Sequence, residues 1–181
     1  SSLKAPLENL NLKAEIDQTE VRLESLSADL AGGKILAKGV SKNYLSSAPQ
    51  TQVAIGMDRL NLQELIPEKG EGQPALHGIF SAGFEGEAQG MAWPAISRTL
   101  TGSGAISLAD GVIKNTNILR IALDKIASKV PGTGEVLNRH LPPVYRERLK
   151  QNDTPLAPFD LPVSIQNGNI ALQNMRLISE G

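Results

Sequence analysis

The chain contains no cysteine among its 181 residues. Disulfide stapling, thiol catalysis and cysteine-ligated zinc are therefore excluded, whatever the compartment. Aromatic residues are scarce, at 3%. Tyr44, Phe80, Phe84, Trp93, Tyr145 and Phe159 are too scattered to build the stacking platforms that hold bases or sugars. Charge is nearly balanced, with a net of -1, so no long-range field gathers nucleic acid or an anionic surface. No apolar run reaches the roughly 18 residues of a membrane-spanning helix. His77 and His140 are the only histidines, and no H-x-x-x-H spacing joins them to a metal. Neither a G-x-S-x-G elbow nor a phosphate loop is present: "GTG" at Gly132 to Gly134 lacks the lysine and the preceding strand. Asp110 and Asp160 sit where a turn or strand start accounts for them. The reading is of no catalytic set, no metal site and no cofactor.

What the chain does have is alternation. In "LNLKAEI", Leu10, Leu12, Ala14 and Ile16 alternate with Asn11, Lys13 and Glu15. Val53, Ile55 and Met57 alternate with Gln52, Ala54 and Asp58. Phe80, Ala82 and Phe84 repeat the pattern, as do Ile106 and Leu108, Leu161, Val163 and Ile165, and Ile170 and Leu172. Period two places the apolar set on one face and the polar set on the other, as in antiparallel strands solvated on one side. "VRLESLSADL" follows the rule with a phase change near Ser25. Gly32-Gly33, Asp110-Gly111 and Asn167-Gly168 are dipeptides suited to tight hairpins, and "SLADGVI" resembles "SIQNGNI". In "GSG" at Gly102 to Gly104 the glycines point to close packing or a bend within a strand.

Helical text is limited. Leu119, Ala122, Leu123, Ile126 and Val130 form one stripe, with Asn115, Thr116 or Asn117 as caps and Pro131-Gly132 as a stop. A basic helix is expected from Pro143 to Lys150, with proline in its first turn. "NLQELIP" reads as one short turn. Segments 67–74 and 151–158 read as linkers, neither long enough to divide the chain. One β-rich domain over residues 1–181 is expected, of a size that buries roughly 70% of its unfolded surface. Strand-like text begins at Leu7 and still runs at Met175 to Ile178. No leader peptide is visible. The expectation is a piece of a longer protein whose targeting segment lies outside it.

"LTGSGAISLADGVIKNTNILRIAL" resembles the AsmA family, in which a G-x-G-x-I-x-L strand leads through D-G into a short strand and a helix. "DRLNLQELIP", "SADLAGGKILAKG" and "FDLPVSIQNGNIALQNMRLIS" extend the likeness over residues 7 to 179. The stretch "VPGTGEVLNRHLPPVYRERLKQND" departs from it, and the role of residues 131–153 stays open. The resemblance implies a periplasmic portion of a bacterial envelope protein, tethered to the inner membrane from outside this segment and associated with outer-membrane homeostasis. It implies a bridge-like lipid carrier with a greasy inner sheet face.

The expected fold is mainly β: a curved antiparallel sheet or half-barrel of repeated hairpins, with two or three helices covering an end or one face. The expected function is non-enzymatic, an apolar groove for phospholipid acyl chains in lipid transport. Its lining is Leu10, Leu12, Val53, Ile55, Met57, Phe80, Phe84, Ile106, Leu108, Val163 and Ile165. Arg139, Arg146, Arg148 and Lys150 are candidate headgroup contacts. Expected partners are a phospholipid and other cell-envelope proteins, with no nucleic acid. The alternative is a structural spacer or protein-interaction module with a closed core and no lipid.

Overall fold

In the computed structural model, residues 5–66, 70, 72–129 and 140–172 are described. They form a mainly β, open, curved antiparallel sheet. Its strands are β1 (Leu7–Ile16), β2 (Glu20–Leu30), β3 (Gly33–Lys42), β4 (Gln50–Asn61), β5 (Ala75–Gln89), β6 (Thr101–Lys114), β7 (Thr154–Pro155), β8 (Phe159–Gln166) and β9 (Asn169–Leu172). The spatial order is β1-β2-β3-β4-β5-β6-β8-β9, with the short β7 beside β6. Neighbours in sequence are neighbours in space, so short connections suffice.

Four helices stand at the strand ends among the described residues: α1 (Leu62–Leu65), α2 (Trp93–Thr99), α3 (Ile118–Lys129) and α4 (Pro143–Lys150). The basic helix thus has its expected bounds, and "NLQELIP" forms its single turn. Asn61 caps α1 by accepting the Gln63 N–H at 3.1 Å. The stop expected for α3 at Pro131-Gly132, most of the 67–74 linker and the strand-like end at Met175 to Ile178 lie outside the described residues.

The turn chemistry divides. Asn167 and Gly168 hold φ of 49° and 76° and join β8 to β9, the two-residue hairpin their types favour. The β2–β3 turn uses Ala31 and Gly32, one residue earlier than expected, at φ of 49° and 72°. Asp110-Gly111 is not a hairpin. β6 runs straight through it, because β5 is long enough to pair with β6 on both sides. Between the pairs Ile79↔Ala109 and His77↔Val112 the register slips by one residue, with Asp110 at φ 52°. The dipeptide is a β-bulge, a place where two residues on one strand face one on the other.

Two more bulges follow the same logic. In β2 the slip at Glu24 and Ser25 lies at the phase change, and in β4 it falls at Asp58 and Arg59. Each sits where the apolar phase switches: Val21 and Leu23 give way to Leu26, Ala28 and Leu30, and Val53, Ile55 and Met57 to Leu60. An inserted residue restores the apolar set to its original face, which an uninterrupted strand would turn away.

The hydrophobic core cluster sits at one end of the strands, where Leu30, Ala31 and Leu60 gather, backed by Ile35, Met57 and Leu65.

Candidate functional site

Residues directly opposite in a sheet share a face, so the register builds the site row by row. Leu12, Leu26, Ala37, Ile55, Phe84, Gly104 and Val163 are linked pair by pair across seven strands. Two residues along lie Ala14, Leu23, Gly39, Val53, Gly86, Gly102, Ile165 and Ile170. On the other side lie Ala28, Ile35, Met57, Ala82, Ile106 and Leu161, then Leu60, Phe80, Leu108 and Phe159. Apart from small glycines, every position in these four rows is apolar. At about 4.8 Å per strand step, eight strands give a face roughly 35 Å across.

The expected groove residues fall into these rows, with one exception. Leu10 sits in a bulge of β1, between the pairs Glu8↔Asp29 and Asn11↔Ser27. Leu108 is in its row but buried at the closed end. The expected lining leaves out Leu23, Leu26, Ile35, Ala37 and Leu161, although alternation already sets Leu161 beside Val163 and Ile165. For Leu26 the signal was the phase change at Ser25, which marks the bulge that returns it to the apolar side.

Among the described helices, α1 reaches the fourth row, where its Leu65 packs on the cluster that holds Leu60. α1 packs against β4 and β5, α2 against β5, and α3 chiefly against α4. The face is accordingly half-buried where neighbouring side chains shelter one another, and Ile55 at its centre is 40% exposed. Phe84 lies over Gly86 and Gly102; a Cβ on either glycine would come within 2.7 Å of the ring. The "GSG" stretch therefore marks a close approach, as its strand context implied.

The opposite face is mixed: a row through Leu36, Gly56, Gly83, Ala105 and Pro162 runs between polar positions, and Leu36 is exposed. Arg22, Gln52, Glu85, Glu87 and Lys38 occupy the polar positions, exposed to solvent. Gln52 donates to Glu87 at 3.3 Å, and Lys13 pairs with Glu24. That contact raises the Lys13 ammonium and lowers the Glu24 carboxyl from their ordinary values.

At the closed end a polar latch fastens α3 and α4 to β6. The buried Asn117 caps α3 by accepting the Arg120 N–H at 2.8 Å. Its amide donates to the Arg148 and Gln151 carbonyls at 2.8 and 2.6 Å. Thr154 accepts the Ile118 N–H at 3.0 Å and donates to the Thr116 carbonyl at 2.6 Å. Asp153 meets the Lys114 ammonium at 2.7 Å and the Asn115 N–H at 2.9 Å. Those hydrogen bonds, Lys114's first, hold its carboxyl below the ordinary aspartate value, helped by the charge of Lys114 and of His77.

Of the candidate headgroup contacts, Arg139 lies outside the described residues. Arg146 and Lys150 are exposed on α4, while Arg148 is exposed and its guanidinium stands 6.0 Å from the Tyr145 ring centre. Lys150 is paired with Glu147 at 2.7 Å. Among the described residues no cluster of three or more metal-ligating side chains forms, and no described helix is long and apolar enough to cross a membrane.

The AsmA family profile matches residues 1–175. The chain belongs to the AsmA family. The match spans the stretch that departs from the family's recognisable motifs, so that stretch lies within the AsmA region. The chain matches no curated protein and no solved structure. AsmA is a cell-envelope family, and this member presents a β-rich architecture.

Proposed function

We propose that this AsmA domain is a non-enzymatic, periplasmic segment of a longer inner-membrane-tethered protein, and that its open apolar face carries phospholipid acyl chains. The observation that carries the reading is the continuity of the apolar rows together with the exposure of Ile55 at their centre; the fourth row, with Leu60 and Leu108 buried, belongs to the closed end. Water against so broad an aliphatic surface is unfavourable, at about 25 cal/mol per Å², and soluble monomers rarely leave such patches bare. A bilayer's hydrocarbon core is roughly 30 Å thick, so one acyl chain spans about 15 Å. A face roughly 35 Å across accepts such a chain laid across the strands. The ladder hydrogen bonds run between strands, so the backbone offers the chain no unpaired polar group along its path.

Headgroups would remain in water beside the face, and the exposed Arg146 and Arg148 of α4 are the candidate partners for phosphate oxygens. A spacer with a sealed core fits less well, because the core cluster of buried hydrophobic residues is the small one near Leu30 and Leu60. The test is organic extraction of the purified protein followed by mass spectrometry. Phospholipid in near-stoichiometric amount supports the reading. Protein that stays folded and lipid-free after expression and after incubation with phospholipid would refute it.

A further inference from the structure

At the strand ends away from the latch, two connections push large apolar side chains into solvent. Leu45, between β3 and β4, is 78% exposed; Met91 and Trp93, between β5 and β6, are 67% and 73% exposed. Trp93 is the only tryptophan, and tryptophan is on average a highly buried residue. The two connections are neighbours, since the Gly90 N–H donates to the Pro49 carbonyl at 3.0 Å. They are also firmly held. The Thr99 hydroxyl accepts the Gln89 N–H at 2.8 Å and donates to the Gln89 carbonyl at 2.9 Å, and the Gly168 N–H donates to the Leu100 carbonyl at 2.9 Å.

Their charge is of one sign. Segments 42–49 and 90–101 contain Lys42 and Arg98, both exposed, and no carboxylate. Of the acids nearest in sequence, Asp17 accepts the Thr19 and Glu20 N–H groups, Glu20 pairs with Arg22, and Glu87 accepts from Gln52.

We propose that this rim, Leu45, Met91 and Trp93 flanked by Lys42 and Arg98, docks on a phospholipid bilayer that displays anionic headgroups. A tryptophan with aliphatic neighbours settles at the boundary between headgroups and acyl chains. The two cations within the connections themselves complement the lipid phosphates. The docking is separate from the acyl-chain reading, since none of these residues lies in the four rows.

Trp93 reports on its own environment. Titration with phosphatidylethanolamine–phosphatidylglycerol vesicles should shift its emission to the blue, with quenching by bromine-labelled lipid. Leu45→Ser combined with Met91→Ser keeps the reporter and should weaken vesicle binding about tenfold at unchanged melting temperature. Arg98→Gln should weaken binding to these vesicles more than to pure phosphatidylcholine. Ile55→Glu, which addresses the sheet face, should leave the vesicle response intact, so the two readings fail separately. Emission indifferent to vesicles, or a serine pair that binds like the parent, would overturn the proposal. So would a blue shift that grows with protein concentration without lipid, which would make the rim a protein contact.

Discussion

Gly78 on β5 faces Asp110 on β6 across the bulge, and both hold positive φ, at 141° and 52°. A Cβ at Gly78 would stand 3.1 Å from the Ala109 carbonyl oxygen, from the Gly111 Cα and from Leu108 Cδ1. Gly78→Ala should therefore cost about 1–3 kcal/mol, through backbone strain and overpacking together. Asp110→Gly should stay within about 1 kcal/mol of the parent, because relief of the left-handed conformation offsets the added freedom of the unfolded chain. Chemical denaturation measures both; an alanine at 78 as stable as the parent would contradict the bulge.

Asn117 is the centre of the latch. Asn117→Ala removes the α3 cap and leaves the Arg148 and Gln151 carbonyls without their donor. A cap alone is worth about 0.5–2 kcal/mol. Asn117→Asp keeps the cap but aims a carboxylate at two carbonyls, so it should not rescue the alanine variant. Amide exchange in α3 and α4 should rise in both, and protection of α4 unchanged in either would contradict the latch.

Asp153 gives the latch a pH dependence of definite sign. Its folded-state pKa lies below the unfolded value, so its contribution is complete above the unfolded value and fades as pH falls through the folded one. Asp153→Asn should be less stable than the parent at neutral pH, with the gap closing on acidification below the ordinary aspartate range. A gap that is constant with pH would contradict the assignment.

Arg146 and Arg148 are exposed, and their loss should matter little to folding. Changing both to glutamine should move stability by less than about 0.5 kcal/mol. If they meet headgroups, the variant should co-purify with less anionic phospholipid. An unchanged lipid complement would remove α4 from the lipid site.

Much of the sheet was legible in the sequence because alternation is local. Val53, Ile55 and Met57 declare a face without reference to any other strand, and Pro143 to Lys150 carries its own start signal. The meaning of Asp110-Gly111 was not local. The same dipeptide chemistry serves a hairpin or a bulge, and the length of β5, a partner elsewhere in the chain, decides between them. The turn at Ala31-Gly32 was misplaced by one residue because Gly33 offered an equally permissive alternative. α2 escaped notice: it is a single seven-residue segment without a side-chain cap, and its tryptophan faces solvent. Whether an apolar face is covered is not legible in alternation, since the pattern is the same under a helix or beneath nothing; among the described residues Ile55 is 40% exposed.

The central claim is that the rows through Ile55 and Ile106 form an accessible lipid surface while Leu60 belongs to the true core. Leu60 is 2% exposed, and Leu60→Ala should cost about 2–5 kcal/mol. An unpaired charge in a sealed core costs several kcal/mol, so Ile55→Glu and Ile106→Glu, made singly, separate the two environments. Thermal melting with quantitation of co-purified phospholipid is the deciding measurement. The account predicts glutamate variants that melt near the parent and have lost their lipid. Glutamate variants that unfold, from a parent that carries no lipid, would contradict it.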